Sequence, residues 1–398
     1  MMKILLVHNY YRSVNPSGEN MVFDQERSLL ESHGHEVEVF NYFSDDIEKK
    51  NIIDKMLQAF SIPWNYKVYK RIKKVVSEIS PDIIHVHNTF PMISPSIFFG
   101  IKNTPCVLTL HNYRIFCSSA VLMRDGKICT KCIDRDSVVP SLFYGCYRKS
   151  RILTIPVATS ILLHKILKTW KKQVDAFIVF SEFQKKMVIL GGCPQEKIHI
   201  KPNYYPDIQN NENVKCVHKK KFVLFVGRLS EEKGVKTMIE AWLQWDDAPK
   251  LHIVGDGPLR SILESKSAGK NIHFHGQLNK KETQKYMSAA IILLLPSECY
   301  EGFPMVLHEA FFAGTPVIAS DLGSLPQIVK NGENGLIFKA GSKKSLINKV
   351  EYLINSKKNL NALSKGARLS YESLYSQSKN YNLLMGIYKT AIANMKQS

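Results

Sequence analysis

Ser297-Glu298-Cys299-Tyr300-Glu301-Gly302-Phe303-Pro304-Met305-Val306-Leu307-His308-Glu309-Ala310 comes just after an apolar run, Ile291 to Leu295. A run this short and free of charge reads as a strand buried on both faces in a parallel sheet. Its carboxyl end gives way to a loop carrying Glu301 and Gly302, and Pro304 stands where a helix places its first turn. A strand-loop-helix of this kind leaves backbone N–H groups and the positive end of a helix dipole free for an anion, with no basic side chain required. Two carboxylates flank that anion site, Glu301 on the loop and Glu309 about a turn and a half into the helix. A carboxylate accepts two hydrogen bonds at once, so each suits a vicinal diol, one on a ribose and one on a hexose. The stretch reads as a nucleotide-sugar site.

Working outward, short apolar strands alternate with helical stretches through the whole chain. In the first half they are expected over Lys3–His8, Glu36–Asn41, Asp82–His87, Cys106–Leu110, Ala176–Phe180 and Ile198–Lys201. In the second half they are expected over Phe222–Val226, Leu251–Val254, Ile272–Phe274, Ile291–Leu295, Val317–Ala319 and Leu336–Phe338. That is the α/β pattern of two doubly wound, Rossmann-like domains, which would face each other across a cleft with ligands at the strand carboxyl ends. The first would span 1–203, with a loop-like insert at 112–150. A polar linker is expected over 204–220, the second domain over 221–370, and a terminal helix over 371–398.

Further motifs sit in the loops. Gly227-Arg228-Leu229-Ser230-Glu231-Glu232-Lys233-Gly234 follows the first strand of the second half, and Gly314-Thr315-Pro316-Val317 follows the Glu309 helix. With Glu301-x7-Glu309 in that order, the chain resembles family 4 glycosyltransferases of the GT-B fold, best from Phe222 to Phe338 and least between Asn112 and Trp170. The resemblance implies retention of anomeric configuration. It makes Arg228 and Lys233 a clamp on the donor diphosphate, stabilising the charge that develops on the leaving group. The helix start at Gly302, Phe303 and Pro304 would hold the same diphosphate, Glu309 would take the ribose diol and Glu301 the sugar hydroxyls. His111, at the end of the Val107–Leu110 strand, matches a functional histidine of the family and would bridge toward the acceptor. One of His85 and His87, on the preceding strand, is expected to be a satisfied core residue. The loop Asn15 to Asn20 would bring Gly18 to the leaving phosphate, although the family often carries a Gly-Gly pair where this chain has Ser17-Gly18. No catalytic metal is implied, because the cations take the place of magnesium. The last helix would cross back to the first domain.

The formal charge of +19 is unevenly spread. Residues 1–113 hold 12 Lys/Arg and 12 Asp/Glu, residues 114–201 hold 16 and 6, and the remainder 26 and 17. No nucleic-acid-binding motif accompanies the basic region, so an anionic lipid surface or a phosphorylated substrate is the expected partner. The stretch Arg151 to Lys172 lies inside it, apolar over much of its circumference with cations and Trp170 at one end. It reads either as an interfacial helix or as a core helix packed on the sheet. Lys67 to Lys74 would join the same face or form a solvated one. The amino-terminal strand is too short for a signal-peptide core, and no apolar run reaches the ~18 residues of a membrane span. A cytoplasmic location is expected, peripheral on the inner face of the membrane.

Of eight cysteines, Cys106, Cys193, Cys216 and Cys299 are scattered, while Cys117-x11-Cys129-x2-Cys132-x13-Cys146 is clustered in the insert. A Cys-x2-Cys knuckle with two outlying thiols suits a structural zinc, with uncoordinated thiols or an iron–sulfur cluster as alternatives.

Taken together, the expected activity is transfer of a hexose-type sugar from a nucleotide diphosphate donor to a hydroxyl acceptor. The acceptor expected is a glycan on a lipid carrier, as in bacterial surface polysaccharide synthesis. A nucleotide-sugar 2-epimerase of the same fold, or a non-catalytic scaffold subunit, are the rival readings.

Overall fold

The computed structural model describes residues 1–11, 18–48, 51–101, 103–206 and 222–396. Most of the expected linker, from 207 to 220, lies outside the described residues, as do Cys216 and the loop residues 15–17. The chain divides into two compact units, one of Met1–Arg124, Cys129–Pro202 and Asn380–Ser398, the other of Asn203–Lys379 with Asp125–Ile128. Each unit is built on its own six-stranded parallel sheet.

The strands of the first part of the chain are β1 (Lys3–Tyr10), β2 (Glu36–Phe43), β3 (Ile83–Val86), β4 (Cys106–Thr109), the hairpin strands β5 (Met123–Arg124) and β6 (Lys127–Ile128), β7 (Ala176–Val179) and β8 (Ile198–Ile200). The first sheet has the order β2-β1-β3-β4-β7-β8. β1 is central and its core residues Ile4 to Val7 are fully buried, as an uninterrupted apolar strand between two parallel neighbours must be. β2 lies at the edge, and its Glu-Val-Glu-Val alternation puts one set of side chains toward water. One face of the sheet packs Ile4, Leu6, Ile83, Val107 and Ile178 against Phe23 and Leu30 of the helix Gly18–Ser32. Leu384, Ile387, Tyr388 and Ala391 complete the same core.

Those four residues come from the helix Gln377–Lys396. The terminal helix therefore begins later than 371. Tyr371 belongs to the preceding helix, Lys357–Leu374, where its buried hydroxyl donates to the Tyr205 carbonyl at 3.0 Å, and Tyr375 ends that helix.

The second sheet comprises β9 (Phe222–Val226), β10 (Lys250–Val254), β11 (Ile272–Phe274), β12 (Ile292–Leu295), β13 (Val317–Ser320) and β14 (Gly335–Phe338). Its order, β11-β10-β9-β12-β13-β14, reverses direction between β9 and β12. Such a switch point opens a crevice beyond the strand carboxyl ends, where ligands of open α/β sheets bind.

Candidate active site

The second unit brings most of the expected donor residues to that switch point. β9 runs out into Gly227 and Arg228, and β12 into Pro296 and Ser297. The two loops are laced together: the Glu298 N–H donates to the Glu232 carbonyl at 2.9 Å, and the Thr237 hydroxyl to the Glu298 carboxylate at 2.5 Å. Gly234 makes this approach feasible. Its φ is +65°, and a Cβ there would fall 1.7 Å from the Pro296 carbonyl oxygen, so no side chain fits.

Lys233 and Glu301 meet directly. The ammonium donates to Glu301 Oε1 at 2.6 Å, the Ser297 hydroxyl donates to the same oxygen at 2.7 Å, and the Ser324 hydroxyl holds the Glu301 carbonyl at 2.7 Å. Burial works against the Lys233 charge, but Glu301, then Cys299 and Glu232, outweigh it and raise the lysine pKa. The pair thus fixes a permanent cation at the crevice and leaves Glu301 Oε2 without a hydrogen-bond partner among the described residues. Arg228 is exposed, and among the described residues no carboxylate pairs with it.

The helix following the loop runs Met305–Phe312 with Pro304 as its N-cap, and no side chain caps it. Its first amides are therefore open to an incoming acceptor, with Gly302 just ahead of them. Phe303 can serve the helix start through its main chain alone. Its ring is buried, stacked on His308 with centroids 4.3 Å apart and edge-on to Tyr375, so only its main chain is left for a ligand. Glu309 is half-buried. Burial pushes its carboxyl up to about 7, with Lys280 pulling the other way.

In the first unit, His111 lies just past β4. Its Nε2 is 3.0 Å from His87 Nδ1, and His87 Nε2 is 3.1 Å from Glu26 Oε1. Burial, then His87 and His8, hold the His111 pKa well below the usual imidazole range, so the ring is neutral at pH 7. Glu26 is fully enclosed. Burial disfavours its charge, but Lys201 at 2.8 Å, His85 and His87 overcome this and keep it ionised. His85 is satisfied by Glu26 or Tyr388 on one nitrogen and Thr109 on the other, while His87 connects Glu26 to His111. Gly18 opens its helix and is exposed, and the next residue, Glu19, accepts from Asn112 Nδ2 at 2.7 Å. Glu26, Lys201, Glu19 and Asn112 were not anticipated. The one signal for Glu26 is a carboxylate set on the apolar face of its helix, among Val22, Phe23, Leu29 and Leu30.

His111, Asn112 and Arg114 border a pocket of ≈ 70 Å³ whose apolar wall includes Phe90, Val157 and Ile161. Trp170 lines it too, edge-on to Phe98. The indole is turned inward, as the core-helix reading of this stretch would have it. The helix itself, Arg151–Ile166, is buried on one side and exposed on the other. Val157 and Ile161 pack in the core with Ile62 and Phe90, while Ile152, Ile155 and Ile166 are more than half exposed. Beside it the helix Ile52–Ser61 buries no residue and exposes Ile52, Ile53, Met56, Leu57 and Phe60. Cys117, Cys129, Cys132 and Cys146 surround a second, smaller cavity.

Comparison with known proteins places this geometry. Residues 18–205 match the model of glycosyltransferase family 4, and residues 207–370 that of glycosyl transferases group 1. A phosphatidyl-myo-inositol mannosyltransferase of Mycobacterium leprae is 24% identical over 382 residues, covering 89% of this chain and 88% of the relative. Among solved structures, sucrose-phosphate synthase from Thermosynechococcus elongatus superposes with a TM-score of 0.71 at 18% identity, over 99% of this chain and 100% of the other. Anabaena HepE in complex with UDP and glucose gives 0.66 at 16% identity, over 98% and 100%. No helix among the described residues is long and apolar enough to cross a membrane.

Proposed function

Since the chain belongs to the family 4-like glycosyltransferases of the GT-B fold, we propose that it moves a hexose from a nucleotide diphosphate sugar to a hydroxyl of a lipid-linked glycan, with retention. The observation that carries the donor half is the pair of cations following β9 at the switch point, Lys233 locked by Glu301 and exposed Arg228 with no carboxylate partner among the described residues, together with the uncapped helix start after β12. HepE, a neighbour in fold, is named as binding UDP and glucose.

In the proposed reaction the bond from the anomeric carbon to the diphosphate oxygen breaks while a bond to the acceptor oxygen forms on the same face. The acceptor proton passes to the departing diphosphate. Lys233, Arg228 and the amides after Pro304 take up the developing charge, Glu301 Oε2 accepts from sugar hydroxyls, and ionised Glu309 accepts from the ribose diol. For the acceptor we propose the pocket beside neutral His111. No step calls for a metal.

A peripheral membrane position fits the same unit. The apolar residues exposed on the helices Ile52–Ser61 and Arg151–Ile166 are followed by Lys165, Lys168, Lys171 and Lys172, the combination that favours an anionic bilayer. The mannosyltransferase relative is named for a phosphatidyl lipid acceptor.

A thermal-shift panel of UDP, GDP, ADP and their sugars tests the donor half, because ligand binding to the native state raises its apparent stability. At least one nucleotide should stabilise the protein, and Glu309→Ala should abolish the shift. A panel with no responder would refute the reading. Product formed from donor without any acceptor would instead favour the epimerase.

A further inference from the structure

We propose that Cys117, Cys129, Cys132 and Cys146 form a tetrathiolate site for a zinc ion that staples the segment following His111. The four residues come from different places in the insert. Cys117 ends a turn whose N–H donates to the Tyr113 carbonyl, Cys129 follows the β5–β6 hairpin with its N–H on the Leu122 carbonyl at 2.8 Å, and Cys132 lies in the short helix Lys131–Asp134. Cys146 comes after the helix Val139–Tyr144, past Gly145 in the left-handed region at φ +60°. Separate local structures thus deliver four thiols to the wall of one cavity of ≈ 20 Å³, room for a single water-sized guest. All four are free of disulfides.

The surroundings suit a divalent cation better than bare thiols. Four sulfurs facing one small space repel one another as thiolates, and an ion of charge two removes that conflict. The Cys117 sulfur has the Ser119 hydroxyl at 3.2 Å, and the Ser118 hydroxyl donates to Ser141 nearby, so a hydroxyl is in place to hold one ligand's orientation. The segment is held at its start by buried Tyr113, Phe116, Ala120 and Leu122, but its helices span only four and six residues, and Val139 and Phe143 are exposed. A metal crosslink supplies the order that so small a core does not.

The other candidate group is Glu26, His85 and His87, whose ligand atoms already lie within 4.8 Å of one another. Lys201 sits 2.8 Å from Glu26 there and supplies the cation itself. No three of the four cysteine sulfurs lie that close to one another, and a tetrahedron with Zn–S bonds of ~2.3 Å has edges of roughly 3.8 Å. Binding therefore draws the thiols inward by side-chain rotation.

Metal analysis of full-length protein purified without chelator or affinity metal tests this. About one zinc per chain is expected, lost in Cys129→Ser/Cys132→Ser and retained in Cys193→Ser, whose thiol lies elsewhere. Should the double variant fail to fold, a thiol titration of the native wild-type chain decides. Stripping the metal with a strong chelator should expose four additional reactive thiols and lower the melting temperature, and cobalt(II) added back should show thiolate-to-metal charge-transfer absorption. Metal-free protein with these thiols freely reactive, a thiol count short by a disulfide, or visible iron–sulfur absorption would each overturn the proposal.

Discussion

Glu309 offers the sharpest test of the donor site, because its ionisation and its proposed task are coupled. Burial holds its carboxyl at about 7, whereas the unfolded chain ionises it near 4.5. Only the carboxylate can accept from both hydroxyls of a ribose, so binding must deprotonate the group. The apparent Kd should scale as one plus the ratio of protonated to ionised Glu309. That factor is roughly 11 at pH 6 and about 1.1 at pH 8, so affinity should rise about tenfold across the interval. Isothermal titration with the stabilising nucleotide, in buffers of different ionisation enthalpy, reads both the affinity and the proton released near pH 6. Glu309→Gln keeps the ligand's own titration and removes this contribution, so the difference between the two proteins isolates it. For the free protein the sign is opposite. A carboxyl raised on folding stabilises below its unfolded range and loses that contribution as pH climbs through about 7. Identical pH profiles for wild type and Glu309→Gln, or a glutamine variant that binds undiminished at pH 8, would refute the reasoning.

Three further outcomes follow from the geometry. Lys233→Ala should lower kcat by about 10²–10³-fold, as loss of one preorganised charge at a leaving group does, measured as sugar transfer at saturating donor. Lys201→Met strands a buried Glu26 carboxylate and should cost about 3–5 kcal/mol in urea unfolding, with Glu26→Gln added to it restoring most of the loss. Gly234→Ala should weaken nucleotide binding at least ~10-fold, since roughly 1–2 kcal/mol of left-handed strain is joined by the clash with Pro296, whereas Gly34→Ala, at a similar φ with open space around it, should leave binding unchanged.

The strands were legible because each is a short uncharged run enclosed by parallel neighbours, as Ile292–Leu295 and Phe222–Val226 show. Their boundaries shifted by one or two residues, outward where a residue such as Asn9 or Ser320 still pairs with the adjacent strand and inward at ends such as Leu110 and Phe180. The residues proposed for the donor could be picked out because loop chemistry at the ends of those strands is local in sequence. What escaped notice is long-range. Nothing in the neighbourhood of Lys201 announces that it pairs with Glu26, 175 residues away. The meeting of Lys233 with Glu301 was likewise unseen, although both had been singled out, because spacing reveals roles and not partners. The placing of Trp170 stayed open for a related reason: amphipathic composition says that one side of a segment is apolar, and the fold alone says whether an indole at its end turns to a neighbour such as Phe98.

The helix Gln377–Lys396 has a consequence for biosynthesis. Leu384, Ile387, Tyr388 and Ala391 plug a core otherwise made of residues before 180, and Tyr388 and Asn380 reach the buried His85 ring and the enclosed charge of Lys201. The part of the polypeptide that leaves the ribosome first must therefore wait, with an apolar face uncovered, until the helix Gln377–Lys396 has been made, while the second unit's sheet can close ahead of it. Nascent chains stalled before the final helix should be the ones that chaperones retain.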